Sequence, residues 1–194
     1  MFTVVARDAP GSGRSSDPPA TFRLRVQTAS SASSTDSAWG GPHVLGLSFG
    51  GGLALELYRR HPKVPKTLVL AYAGWDGSLR TEVVEQRLQE ALREADLPPE
   101  EWLPGYMPGM FSESAPQELI DEALSIMADV HLAGMRVGLR GFAEADLRDI
   151  LPRIEVATLL LYGKLDQRSH CPWPRTSTLK SQGRDSWCCP ESVT

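Results

Sequence analysis

Cysteine is scarce in this chain: only Cys171, Cys188 and Cys189 are present, all near its end. So few, placed so, suggest neither a disulfide framework nor a zinc ligand set. No metal or cofactor is therefore expected, and a reduced, cytoplasmic setting is the default. Positive charge is not in excess either. A formal net charge of -4 leaves no basic footprint, which argues against a nucleic-acid partner. Long hydrophobic runs are missing: the longest, residues 67–73 (TLVLAYA) and 156–162 (VATLLLY), are strand-sized and far too short to span a bilayer. No charged n-region followed by an apolar stretch opens the chain, so no secretory leader is expected. What remains is the composition of a soluble globular protein, 41% hydrophobic and 23% charged. At 194 residues the chain is long enough for one core and a small inserted lobe.

Residues 2–6 (FTVVA) read as a buried strand closed by the turn-rich stretch 8–19. Residues 25–41 follow as a Ser/Thr/Ala run with almost nothing to bury, which reads as a flexible linker. The pattern then sharpens. Residues 43–47 (HVLGL) form a short apolar strand, Ser48 sits at a turn, and 50–60 is helical with Leu53, Leu55, Leu57 and Tyr58 toward the core. A second buried strand, TLVLAYA, completes a βαβ unit whose strands should run parallel with a right-handed crossover. From Trp75 to about Ile150 the pattern is helical, with Val83, Val84, Leu88 and Leu92 on one face and a similar stripe over 119–139. Strand character returns at 156–162 and ends in Gly-Lys-Leu-Asp. The tail from Cys171 has no periodicity.

Gly46-Leu47-Ser48-Phe49-Gly50 is G-x-S-x-G. A serine nucleophile needs its Oγ lifted clear of the backbone, and a sharp strand-to-helix turn does this at the cost of strain. The flanking glycines keep side chains out of the place where strand and helix close together. The turn also aims the backbone N–H of Phe49 at the position of a developing oxyanion, near the positive end of the helix dipole. The competing reading is a glycine-rich turn with Ser48 as helix N-cap. Asp166 lies just past an apolar strand, at the carboxyl end where open α/β sheets place ligands. There a carboxylate can orient a histidine; alternatively it is a loop aspartate making a turn with its own backbone.

The segment 43–169 resembles the α/β-hydrolase superfamily, in the branch of esterases and enol-lactone hydrolases. The matching pieces are V-L-G-L-S-F-G-G around Ser48, the helical insert, and L-L-Y-G-K-L-D ending at Asp166. Residues 2–16 (FTVVARDAPGSGRSS) also resemble the strand and loop that precede the elbow in that branch. The resemblance implies an incomplete α/β-hydrolase fold, a mostly parallel sheet with a helical lid. It divides the chain into 1–74 (core with elbow, 25–41 aberrant), 75–150 (lid), 151–169 (core strand with the acid) and 170–194 (an aberrant, unstructured tail). It implies acyl transfer to water, with Ser48 as nucleophile, Phe49 as oxyanion donor and Asp166 as acid partner. It argues against the dehalogenase and epoxide-hydrolase branches, which use an aspartate nucleophile.

Three parts of the family pattern are expected to be absent: the first strands, the His-Gly loop that supplies the second oxyanion N–H, and the closing strand with its histidine. One lost oxyanion donor costs about 2.7–4 kcal/mol of transition-state stabilisation. None of the four histidines substitutes convincingly. His43 is about 16 Å from Ser48 at the wrong end of the same strand. His61 is roughly 18–20 Å away at the far end of the elbow helix. His131 lies in the lid, and His170 follows Asp166 without a strand to hold it. Without a base, Ser48 is a weak nucleophile, and this chain is expected to be inactive or very slow.

One cause would account for both unpatterned segments. After a one-base slip of the reading frame, the codons of Ser186-Trp187-Cys188-Cys189 encode four apolar residues. A permitted slipped text of 172–194 is PVAEDLHAQIPGSRLVVLPGVGH, which holds a helix, a turn, a buried strand and a Gly-x-Gly-His end. The same slip turns residues 27–35 (QTASSASST) into ADCLVSLID, with helical apolar spacing. Two frame-shifted regions are therefore expected, and a coding DNA free of base error and frame change overturns that.

Trp75, Trp102, Tyr106, Met107, Met110 and Phe111 would line an apolar acyl or alcohol pocket; ordinary lid–core packing is the alternative. The partner implied is a small-molecule substrate of unspecified identity, and oligomeric state is not legible. The competing function is a non-catalytic protein of the same fold that binds a small ligand. The unpaired sheet edge left by missing strands also predicts poor solubility.

Overall fold

The computed structural model describes residues 3–6, 8–19, 41–71, 81–94, 96–144, 146–162 and 186–188. They fall into two compact units, one of Met1–Leu24 with Arg80–Glu144, the other of Arg25–Leu79 with Ala145–Thr194.

The second unit is built on strand β1 (His43–Leu47), helix α1 (Phe49–Arg60) and strand β2 (Thr67–Ala71). The expected βαβ unit is therefore present, with β1 and β2 parallel and in register from His43↔Thr67 to Leu47↔Ala71. Strand β3 (Ala157–Tyr162), the expected later strand, pairs parallel with β2. A short strand β4 (Ser186–Cys188) pairs parallel with β3, giving the order β1-β2-β3-β4. The fold class is thus α/β with a parallel sheet, as the sequence implied.

Strand alternation explains which face is dry. Leu68, Leu70, Leu160 and Tyr162 point to one face, where they meet Ala54, Leu55 and Tyr58 of α1 and Leu147, Ile150 and Ile154. Leu68 and Leu70 are almost wholly buried there. The intervening positions of β1, Leu45 and Leu47, remain 69% and 59% exposed. On α1 the buried set is Gly51, Gly52, Ala54, Leu55, Leu57 and Tyr58. Leu53, assigned to the core from its spacing, is only half-buried.

Two polar links fasten the segment after the helical insert to α1. The Glu155 backbone N–H donates to the hydroxyl of buried Tyr58 at 2.9 Å. Arg59 reaches the Asp146 carbonyl at 2.6 Å and pairs with the carboxylates of Asp149 and Glu56. Its neighbour Arg148 chelates Asp146, which holds that carboxyl below its ordinary range.

The other unit holds helices α2 (Thr81–Glu94), α3 (Pro99–Tyr106), α4 (Gln117–Ala128) and α5 (Leu132–Glu144). The stripe read over 119–139 is two helices. Asp129 caps α4 through its backbone N–H, and Val130 leaves the helix to bridge Ser12. The loop 8–19 lies against this junction: His131 N–H donates to the Gly11 carbonyl at 3.2 Å. Gly11, at φ 73, and Gly134 approach so closely that a Cβ on either would strike the other's backbone.

Two expectations need correction. Residues 3–6 are not a strand, and Val4 and Val5 are 86% and 77% exposed. A β-branched run becomes a strand only when a neighbour completes its ladder, and no described strand pairs with this one. Conversely, the tail is not structureless throughout, since Ser186–Cys188 complete the described sheet on the side of β3. Residues 20–40, the linker-like run, lie outside the described residues.

Candidate active site

The G-x-S-x-G turn joins β1 directly to α1. Ser48 has φ 50 and ψ -114, and it is the only non-glycine residue with positive φ among the described residues. Such a conformation costs on the order of 1–3 kcal/mol and persists only where the surroundings impose it. Here they do. Ser48 N–H donates to the Ala71 carbonyl of β2 at 2.7 Å, and the Ser48 carbonyl accepts from Gly51 N–H at 2.9 Å. The turn is clamped from the sheet on one side and the helix on the other.

Ser48 occupies the N-cap position of α1, but its hydroxyl makes no cap hydrogen bond to the helix. Ser48 is solvent-exposed and Phe49, the first residue of α1, is half-buried. The two glycines differ in their reason. A Cβ on Gly46 would run into the backbone of Gly50 and Gly51, whereas a Cβ on Gly50 would meet nothing. The sequence argument that both glycines avoid a collision therefore holds for Gly46 alone.

Asp166 and Trp75 lie outside the described residues, as does His170. The remaining aromatic candidates fall in the helical unit. Trp102 and Tyr106 meet edge to face, centroids 5.8 Å apart, while Tyr106 and Met110 are 43% and 39% exposed. Phe111 and Met107 are half-buried. A separate depression of about 530 Å³ in that unit is lined by Asp8, Ser12, Ile126 and Asp129 among others, and by none of these candidates.

Three of the four histidines are among the described residues. His43 begins β1, at the end opposite Ser48, with Nδ1 2.8 Å from Thr67 Oγ1. His61 is the C-cap of α1, the far end of the elbow helix. His131 pairs through Nδ1 with Asp17 at 2.6 Å, a contact no sequence pattern announced because the partners are remote in the chain. Among the described residues no cluster of three or more His, Cys, Asp or Glu could hold a metal ion. No helix there is long and apolar enough to cross a membrane.

Comparison with known proteins finds solved structures of similar fold. An esterase from Exiguobacterium antarcticum is 25% identical, with a TM-score of 0.73 over 92% of this chain and 69% of its own. A hydrolase from Pseudomonas aeruginosa PA01 is 23% identical, with a TM-score of 0.71 over 94% of this chain and 69% of its own. The enol-lactonase from Burkholderia xenovorans LB400, at 20% identity, gives a TM-score of 0.66 over 81% of this chain and 60% of its own. No curated protein sequence matches. The model of the alpha/beta hydrolase family matches residues 2–187, and the chain belongs to that family.

Proposed function

We propose that this chain is a serine-nucleophile hydrolase of carboxylic esters or lactones, working through an acyl-enzyme. The observation that carries this is the imposed backbone of Ser48, with φ 50 and ψ -114. Strain of this kind is stored where a side chain must be presented, and Ser48 is exposed at the start of a helix. The likeness to an esterase and an enol-lactonase supports the substrate class.

In this proposal Ser48 Oγ attacks the substrate carbonyl carbon, and the Phe49 N–H at the helix N-terminus stabilises the oxyanion. As the tetrahedral intermediate collapses, the proton lost by Ser48 goes to the leaving alkoxide, which departs as the alcohol from an ester or stays tethered to the acyl group from a lactone; water then attacks the acyl-enzyme, releasing the acid and returning a proton to Ser48 Oγ. Asp166 is the acid partner. Deprotonation of Ser48 is the weak step: of the two described histidines in the sheet unit, His43 is at the opposite end of β1 and His61 at the far end of α1. With no base among these two, the proposal is that turnover by this chain is slow.

The test pairs hydrolysis of p-nitrophenyl acetate with mass spectrometry after exposure to a fluorophosphonate. Slow turnover lost in Ser48→Ala, together with one adduct on Ser48, is the expected result. Turnover and labelling indifferent to that substitution would remove Ser48 from the chemistry. Ligand binding without either would favour the non-catalytic alternative.

A further inference from the structure

Helix α4 has two faces that differ in kind. Ile120, Ala123, Leu124 and Met127 are half-buried and form one of them. On the other stand Leu119 and Ile126, 53% and 66% exposed, where a helix ordinarily shows polar side chains. Seven residues apart, they lie two turns and about 10 Å from each other on one line. Exposed Glu118 and Glu122 run beside that line, and exposed Asp129 follows at the helix C-cap. Among the described residues none of these three carboxylates enters an ion pair. The face ends at the depression of about 530 Å³, whose lining combines apolar Ile126, Ala128 and Val130 with acidic Asp8 and Asp129, and no basic residue. Between Arg93 and Arg136 the sequence holds nine acidic residues and no lysine or arginine, so the negative excess of a chain with net charge -4 is concentrated here. Every residue of this surface belongs to the single unit of Met1–Leu24 with Arg80–Glu144.

We infer that the outer face of α4 docks a basic amphipathic helix of a partner protein, with a lysine or arginine of that helix entering the depression. An amphipathic helix repeats its apolar residues at i, i+3, i+4 and i+7, so two of them meet Leu119 and Ile126. Basic residues beside those anchors face Glu118 and Glu122. Lysine and arginine carry a charged tip on an aliphatic stem, which suits a depression lined by Ile126 and Val130 on the one hand and Asp8 and Asp129 on the other. Charge complementarity speeds the encounter and turns away wrong partners. A second copy meeting this face through the same face would set its carboxylates against themselves, and anionic lipid or nucleic acid is repelled likewise. Two aliphatic anchors and one depression make a small contact, so the complex is transient.

The full chain tests this by fluorescence anisotropy with a labelled peptide of leucine and lysine in amphipathic order, about 14 residues or four helical turns long. Two further peptides are the controls, one with glutamate in place of lysine and one with serine in place of leucine. Two variants read the surface: Leu119→Ser with Ile126→Ser removes the anchors, and Glu122→Gln with Asp129→Asn removes charge beside them and at the depression. All four sites are exposed, so circular dichroism and melting should match the unaltered chain. The leucine–lysine peptide is expected to bind saturably and one to one. Both control peptides and both variants should bind at least about tenfold more weakly, the equivalent of roughly one anchor's burial. Raising salt from about 0.05 M to about 0.5 M should weaken binding as well. Binding indifferent to the serine pair would be diffuse attraction to negative charge and overturns the inference. Equal binding of the glutamate peptide overturns it too. Self-association of the unaltered chain that the serine pair abolishes would make a second copy the occupant, and the inference would fail.

Discussion

Ser48 and Ala71 are joined by a 2.7 Å hydrogen bond from the serine N–H to the alanine carbonyl. The bond continues the β1–β2 ladder one residue past the strand. It holds the serine at positive φ although its peptide already belongs to the turn. Relief of that strain should be measurable. Ser48→Gly is expected to raise the melting midpoint, by on the order of 1 kcal/mol of stability, while removing any ester turnover. Ser48→Ala keeps the strain and loses only chemistry. A glycine variant no more stable than the alanine variant would show that the turn is relaxed.

The two flanking glycines should respond in opposite directions. Gly46→Ala pushes a methyl into the Gly50 and Gly51 backbone and should cost about 1–3 kcal/mol or more, by urea denaturation. Gly50→Ala meets open space within α1 and should be neutral or stabilising by up to about 1 kcal/mol, the helix-propensity difference. Equal losses at both positions would contradict the asymmetric packing.

Tyr58→Phe removes the hydroxyl that accepts the Glu155 N–H, at a tyrosine only 2% exposed. The orphaned donor should cost about 1–3 kcal/mol. If the loss is negligible, water reaches the Glu155 peptide and the link contributes nothing.

Acid stability should depend on Asp146. Its carboxyl is lowered from 3.8 to about 2, chiefly by the Arg148 side-chain hydrogen bond and next by the Arg148 backbone N–H. A folded-state value below the unfolded one means that the contribution is present above pH 3.8 and fades toward about 2. The group is open to solvent, so the effect is small. In Asp146→Asn the melting midpoint should change less over that window, and an unchanged slope would show the pair to be idle.

The elbow was legible because its signals are local. An apolar run, a glycine pair around a serine and a 3.6-residue apolar period each report on their own neighbours, and β1, α1 and β2 followed within a residue or two of their expected bounds. What was not legible depends on remote partners. FTVVA looks more like a strand than Ser186–Cys188 does, yet the latter pairs with β3 and residues 3–6 do not form one. The Tyr58–Glu155 and Asp17–His131 bonds join segments far apart in the chain, and nothing in either segment alone foretells the other. The different duties of Gly46 and Gly50 depend on where a Cβ would point, which a motif does not encode.

The sheet order has a consequence for how the chain tolerates change. Strands β2 and β3 are neighbours although everything from 72 to 156 intervenes, so their pairing closes a long loop. Loop-closure entropy grows only logarithmically, and doubling such a loop adds about 0.6 kcal/mol. Lengthening, shortening or exchanging the helices therefore perturbs the β2–β3 ladder very little. The helical insert is free to diversify while the strand order that carries Ser48 stays fixed.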